Sequence, residues 1–262
     1  MKRKYKMNKF LNILLFNLKV ETKFKFDYFI RLIMYFFHIF VFNELWDYLL
    51  KDKLILGYDK ESLIWYIIIG EMIIYSMSKN YIKISNLVKS GDIANILIKP
   101  INMLEYLFLM EFTSVITLIL NLFFAISYGI LTLGLPNISI INILLFLFSV
   151  LLSYIMILST QILIGVLAFF FEENEVFYLI ISKAILIVTM TPLEFYSGIV
   201  KTFMSFLPTT YIVYAPGKIF LNCDIYESLN LILYQVLSLI FLIGLLIFIT
   251  KKGVKKINVN GG

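Results

Sequence analysis

Stretches of about 20 mostly apolar residues, the length that crosses a hydrocarbon core, recur in this chain from residue 28 almost to its C-terminus. That recurrence restricts the fold more than any motif, because a backbone in lipid must satisfy its own hydrogen bonds as helices or as a closed barrel. A barrel would show short alternating segments, and these runs are continuous. Hydrophobic residues make up 61% of the 262 residues and charged residues 15%, outside the range of soluble domains. The reading is an all-α polytopic membrane protein forming a single transmembrane domain over residues 1–262.

Six transmembrane helices are expected, over residues 28–50, 62–79, 105–133, 139–170, 176–195 and 229–250. The third and fourth exceed a perpendicular crossing, so they tilt or project beyond the bilayer. Residues 1–27 carry eight Lys and Arg residues and no cleavage site after an uninterrupted apolar region, so no removable signal peptide is expected. Asn8, Lys9, Asn12, Lys19 and Lys23 share one side of a helical wheel and Phe10, Leu11, Leu14 and Leu18 the other. This suits an N-terminal amphipathic interfacial helix, the alternative being a disordered basic tail.

Lysines cluster in the N-terminal segment, in the loop with Lys79, Lys83, Lys89 and Lys99, and in the tail with Lys251, Lys252, Lys255 and Lys256. Six crossings put all three on one side, so both termini are expected in the cytoplasm of a multi-pass plasma-membrane protein. The net charge of +6 then reflects loops facing anionic lipid, and no nucleic acid partner is implied. Residues 196–228 are long, apolar and proline-punctuated, with Pro208 and Pro216 inside and Pro192 just before them. Broken apolar helices survive at membrane depth only inside protein or along a cavity, so an outer re-entrant hairpin between the fifth and sixth spans is expected rather than a seventh crossing.

The chemistry is sparse. A phosphate-cradling GxxxxGK[ST] loop, a HExxH motif, a GxSxG elbow and an aspartate cluster for magnesium are all missing from the sequence, so bond-making by this chain is not expected. The single cysteine, Cys223, and single histidine, His38, offer no disulfide framework or His-cluster metal site. His38 is read either as a packed, hydrogen-bonded side chain or as part of a proton relay. Glu71 and Lys183 are the charges deepest within spans, both roughly 10 to 12 Å from the cytoplasmic ends at about 1.5 Å per residue. They either face one another or the translocation path, or find partners separately. Arg31, Glu44, Asp47 and Glu111 lie nearer span ends, where charges can reach the interface.

Two compact polar segments remain on the expected cytoplasmic face, residues 80–104 and 171–176. In the first, Ser90, Gly91, Asp92, Leu97, Lys99, Pro100 and Asn102 fall in the order SG, acidic residue, short apolar run, basic residue, Pro, Asn. Further on, Pro192, Tyr196, Leu207, Pro208, Tyr214, Pro216 and Leu221 punctuate the exit of the fifth span and the hairpin. With the hydropathy profile, these stretches resemble the permease subunits of ABC-2-type transporters.

That resemblance implies a permease paired with a second permease, identical or related, and driven by a separate ATP-binding cassette subunit that carries the ATP and magnesium. No cofactor is implied in this chain. The first coupling helix would lie between Gly91 and Pro100, with Ile93, Ile96 and Leu97 as its apolar face and Asp92 and Lys99 as flanking charges. Glu172, Glu173 and Glu175 would make the second contact. The resemblance further implies export, and the 17 Tyr and 25 Phe residues suit either a path for a hydrophobic or amphipathic substrate or ordinary lipid-facing packing. An ion-coupled secondary transporter is the alternative, although no internal repeat of the kind such carriers show is present.

Overall fold

The computed structural model describes residues 25–50, 54–77, 79–134, 136, 138–221 and 224–256. Within them the chain is helical, and the only extended pairing is one isolated bridge between Ile55 and Tyr58. The helices are α1 (Lys25–Leu50), α2 (Lys60–Tyr75), α3 (Tyr81–Lys89), α4 (Ala94–Leu97), α5 (Met103–Glu111), α6 (Val115–Leu133), α7 (Ile140–Val166), α8 (Glu175–Met190), α9 (Gly198–Phe206), α10 (Tyr214–Phe220) and α11 (Ile225–Val254). A 3₁₀ turn at Phe112–Ser114 joins α5 to α6, so the two run on as one rod.

Among the described residues, four helical segments are long and apolar enough to cross a membrane: Phe29–Leu50, Met103–Leu133, Ile140–Phe169 and Ile225–Val254. The expected second and fifth spans correspond to α2 and α8, which have 16 residues each. At about 1.5 Å per residue either covers roughly 24 Å, short of a hydrocarbon core of about 30 Å. Both stop before the expected boundaries. Ser76 turns the backbone out of α2, and the extended residues Thr191 and Pro192 end α8. The interfacial helix expected over residues 1–27 lies outside the described residues apart from the start of α1, and Cys223 lies outside them as well.

The helices α2 and α7 form the centre. Every residue of α2 from Leu63 to Ile73 is buried, as is nearly all of α7 from Leu152 to Val166. A helix apolar and buried on all sides must be enclosed by protein. α1 and α6 pack on α2, α11 packs along α7, and α8 leans on α2. The outer helices bury one stripe each: Tyr35, Ile39, Trp46 and Leu50 on α1, and Leu118, Asn121, Ala125 and Gly129 on α6. Their remaining faces are exposed and apolar, with Phe29, Phe37 and Phe40 on α1 and Ile119, Phe123 and Leu131 on α6. Lipid is the solvent that matches such faces.

With no hydrophobic force between helices in lipid, small residues and polar contacts hold the contacts close. A Cβ on Gly129 would lie 2.2 Å from the Trp65 ring, and one on Gly217 would lie 2.7 Å from the Tyr66 ring. Tyr66 also donates to the Val188 carbonyl at 2.7 Å, tying α2 to α8. Across α7, α11 and the turn before α10, Gln235 Nε2 donates to Ser153 Oγ at 2.8 Å and to the carbonyls of Ser149 and Tyr211 at 3.1 Å. Ser149 Oγ donates back to Gln235 Oε1 at 2.8 Å, and Ser153 Oγ donates to the Ile212 carbonyl at 2.6 Å. A smaller apolar cluster closes the opposite, lysine-rich end around Ile84, Ile93, Ile96, Leu107, Ile162 and Leu246.

Candidate functional site

At the lysine-rich end, α3 lies against the last turns of α7. Its Tyr81, Ile84 and Ser85 are buried while Ile82, Lys83, Asn86 and Lys89 face out. Gly165 permits this approach, since a Cβ there would meet Ile84 Cβ at 2.5 Å. Residues 171–174 fold back over the same helix. Asn174 is buried, donates from Nδ2 to the Ile164 carbonyl at 2.7 Å and accepts from Ser85 Oγ at 2.9 Å. One amide thereby fastens α7 and the loop to α3. Tyr178 at the start of α8 stacks on Tyr81 with ring centroids 4.5 Å apart.

The result is an open groove of about 530 Å³, floored by α3 and walled by Glu172, Glu173, Asn174, Glu175, Val176 and Leu179. The three glutamates are exposed along one wall, and Lys89 stands on the other side. Asn174, passed over in the acidic run EENE, is the residue on which the groove depends. Its signal was a short amide between carboxylates, where an exposed acidic loop has no need of one.

Beyond α3, Gly91 takes φ +79°, a left-handed conformation that favours glycine, and reverses the chain. Ser90 Oγ donates to Asp92 Oδ2 at 2.7 Å inside this turn, and the Ile93 amide donates to the Leu87 carbonyl at 2.9 Å. The helix expected between Gly91 and Pro100 is only the single turn α4. The longer helix precedes Gly91, because the positive-φ turn that ends α3 leaves few residues before Pro100.

The expected apolar face is corrected too. Ile93 and Ile96 are buried inside the chain, where they close the cluster around Ile84 and Leu107. Leu97 and Ile98 are the exposed apolar side chains, with Asp92, Lys99 and Pro100 exposed beside them. Lys99 lies 4.6 Å from the centre of the Tyr106 ring, a cation–π contact that holds the segment over α5.

At the opposite end the proline-punctuated stretch folds as a helical hairpin. Leu193–Phe195 forms a 3₁₀ turn, α9 follows, and Pro208–Ile212 forms another 3₁₀ turn that leads into α10. α9 exposes Ile199, Val200, Phe203 and Phe206, whereas α10 is buried from Tyr214 to Gly217 and packs on α2 and α7. Of the expected hairpin residues, Pro192, Tyr214 and Pro216 are buried and Tyr196 and Pro208 are half-buried. Tyr196 Oη donates to the Ile187 carbonyl at 3.0 Å and also meets Thr191 Oγ1.

Lys218 ties this hairpin down. Its Nζ lies 2.9 Å from Glu194 Oε1, 2.6 Å from Tyr58 Oη and 3.8 Å from Glu227 Oε1, so it links α10, the turn after α8, the loop before α2 and the start of α11. Tyr214 Oη donates to the same Glu194 oxygen at 2.8 Å. Burial opposes ionisation of Glu194, but the Lys218 ammonium and the Tyr214 hydroxyl outweigh it and hold the carboxyl below its usual range. Burial pushes Tyr58 up to about 12. The sequence reading missed this cluster, although a Glu and a Lys near the two ends of an otherwise apolar stretch were its signal.

Glu71 and Lys183 are not brought together. Glu71 is completely buried and its ionisable neighbour is His38, whose Nδ1 stands 3.6 Å from Oε2. Lys183 lies on the exposed side of α8. Equal depth along two helix axes says nothing about which way each residue points around its axis, and here the azimuths differ. Arg31, Glu44 and Asp47 are exposed on α1, and Asp47 pairs with Lys60 at 2.6 Å.

The family model described as ABC-2 family transporter protein matches residues 29–261. Among curated proteins, none matches the chain.

Proposed function

This chain belongs to the ABC-2 transporter family, and from that premise we propose that it is the membrane permease subunit of an ATP-driven exporter, working against a separate ATP-binding subunit. On this reading the lysine-rich end faces the cytoplasm, both termini lie there, and α2 and α8 complete six crossings of the plasma membrane. The two helices too short by themselves are α2, enclosed by its neighbours, and α8, which leans on it; neither faces lipid all round, and the polar ends of a short helix can be carried by protein. The hairpin α9–α10 is then the outer re-entrant element.

The observation that carries the proposal is the groove between α3 and the Glu172–Glu175 wall. It sets three exposed carboxylates opposite α3, and the exposed apolar side chains Leu97 and Ile98 follow the Gly91 turn at the end of that helix. A soluble ATPase with a basic rim and an apolar pocket is the complementary partner. ATP and magnesium belong to that partner, since the chain has no phosphate-binding loop of its own. A second permease, identical or related, would cover part of the apolar flank, and the transported molecule is hydrophobic or amphipathic.

Gentle purification of the tagged chain from its native membrane, with mass spectrometry of co-purifying proteins, tests this reading. A stoichiometric P-loop ATPase is expected, and it should be lost when Glu172, Glu173 and Glu175 are all replaced by Lys. A chain that purifies as a homo-oligomer without any ATPase, and that moves solute down an ion gradient, would replace the proposal with an ion-coupled carrier.

A further inference from the structure

The least accounted-for group in the bundle is the Glu71 carboxyl. It sits on α2 with no exposed surface, and neither of its oxygens has a hydrogen-bond partner. A carboxylate stripped of water and of donors either pairs closely with a cation or keeps its proton. The pairing available is poor. His38 Nδ1 is 3.6 Å from Oε2, beyond hydrogen-bond length, and the same nitrogen meets the Tyr75 hydroxyl at 3.3 Å.

An imidazole that accepts from Tyr75 at Nδ1 is neutral and carries its proton on Nε2. Beside an imidazole in that tautomer Glu71 has no cation to face. We propose that Glu71 is a proton-binding site within the membrane bundle, its buried carboxyl carrying a proton that His38 is placed to receive. In that transfer the Glu71 O–H bond breaks, the proton joins His38 Nδ1, and the Tyr75 hydroxyl turns from donor to acceptor. The pair has no net charge before or after, so the step places no uncompensated charge in a low-dielectric interior.

The surroundings support a site with one open side. The His38 side chain is 38% exposed and that of Glu71 1%, so His38 is the member nearer the surface of the bundle. The other groups around the site are Tyr35 from α1, which donates to the Ile68 carbonyl at 3.2 Å, Tyr75 from α2 itself, and Tyr128 from α6 beyond Tyr35. A cavity of about 10 Å³, the size of one water molecule, is lined by Arg31, Leu32, Tyr35, Tyr75 and Asn121, so it reaches the tyrosines of the site and not Glu71 or His38 themselves. Lys183 of α8 is turned outward and does not contribute.

Infrared spectra of the purified chain in lipid nanodiscs, wild type minus Glu71→Gln, test the site without any ATPase or substrate. The expected result at neutral pH is a protonated-carboxyl carbonyl band that shifts in heavy water, is missing from Glu71→Gln, and persists well above pH 4.3, about where solvated glutamate ionises. Carboxylate bands alone at neutral pH would overturn the proposal in favour of a fixed ion pair. His38→Phe supplies a second arm. A neutral Glu71 predicts a melting temperature close to wild type and a carbonyl band that survives to higher pH, whereas a marked loss of stability at neutral pH would mean that His38 had been neutralising a carboxylate.

Discussion

Gly217 and Tyr66 show how little slack the centre of the bundle contains. A methyl group at Gly217 would press on the Tyr66 ring at 2.7 Å, and that ring is held from its other end by the hydrogen bond to the Val188 carbonyl. Gly217→Ala should therefore destabilise by roughly 1–3 kcal/mol, the range for overpacking. Tyr66→Phe removes only the hydrogen bond and should cost about 1 kcal/mol. Thermal unfolding in detergent checks the order of the two.

Glu194 makes a second prediction, in pH. Its carboxyl is held below the ordinary 4.5, so its pairing with Lys218 contributes fully above that pH and is lost as pH falls through the lower folded-state value. Acid should loosen the hairpin, read as protease sensitivity of residues 196–220, and Glu194→Gln should show that loosening already at neutral pH. Residue-scale pairings of this kind were the part of the site least legible in the sequence. Glu71 could be assigned a depth, because 1.5 Å per residue needs only counting, but its partner depended on the rotation of α1 against α2. Ile93 and Ile96 could be assigned to an apolar face, but not to the side on which that face is buried.

Among the elements, the long helices and the polar interruptions were legible because composition alone marks them. The runs at 105–133, 139–170 and 229–250 correspond to α5–α6, α7 and α11, and the break at Gly91 stands where its positive φ turns the chain. The helix ahead of that break was not foreseen, since Lys79, Lys83 and Lys89 made residues 79–89 read as loop. α3 is stabilised from outside, through Ile84 against Gly165 and Ser85 against Asn174. That dependence sets an expectation for Asn174→Ala. It deletes both side-chain hydrogen bonds of the clamp, so residues 171–174 should come away from α3 while the membrane helices stay folded. Limited proteolysis should cut the variant within this loop, and its association with an ATPase should weaken at least several-fold. Unchanged association would mean that the groove is not the contact.

For the whole molecule, the arrangement of ends is what the proposal exposes to test. The chain has one cysteine, Cys223, so replacing it with Ser frees the sequence for single-cysteine labelling. Cysteines at Asp59 and Glu227 should react with an impermeant maleimide on intact cells, while cysteines at Asn86 and Glu173 should react only after permeabilisation. Labelling of Glu173→Cys from outside would mean that α7 and α8 do not both cross.

The enclosure of α7 bears on how force would travel through such a molecule. Its lysine-rich end is lashed to α3 through Asn174, and its middle grips the hairpin at the Ile212 carbonyl through Ser153. Between those points nearly every side chain is surrounded, so the helix has nowhere to flex without displacing its neighbours. It is a pushrod in a fitted sleeve: on the proposed reading a thrust delivered at the groove would arrive at the hairpin with little lost to bending, and play anywhere along the sleeve would shorten the stroke.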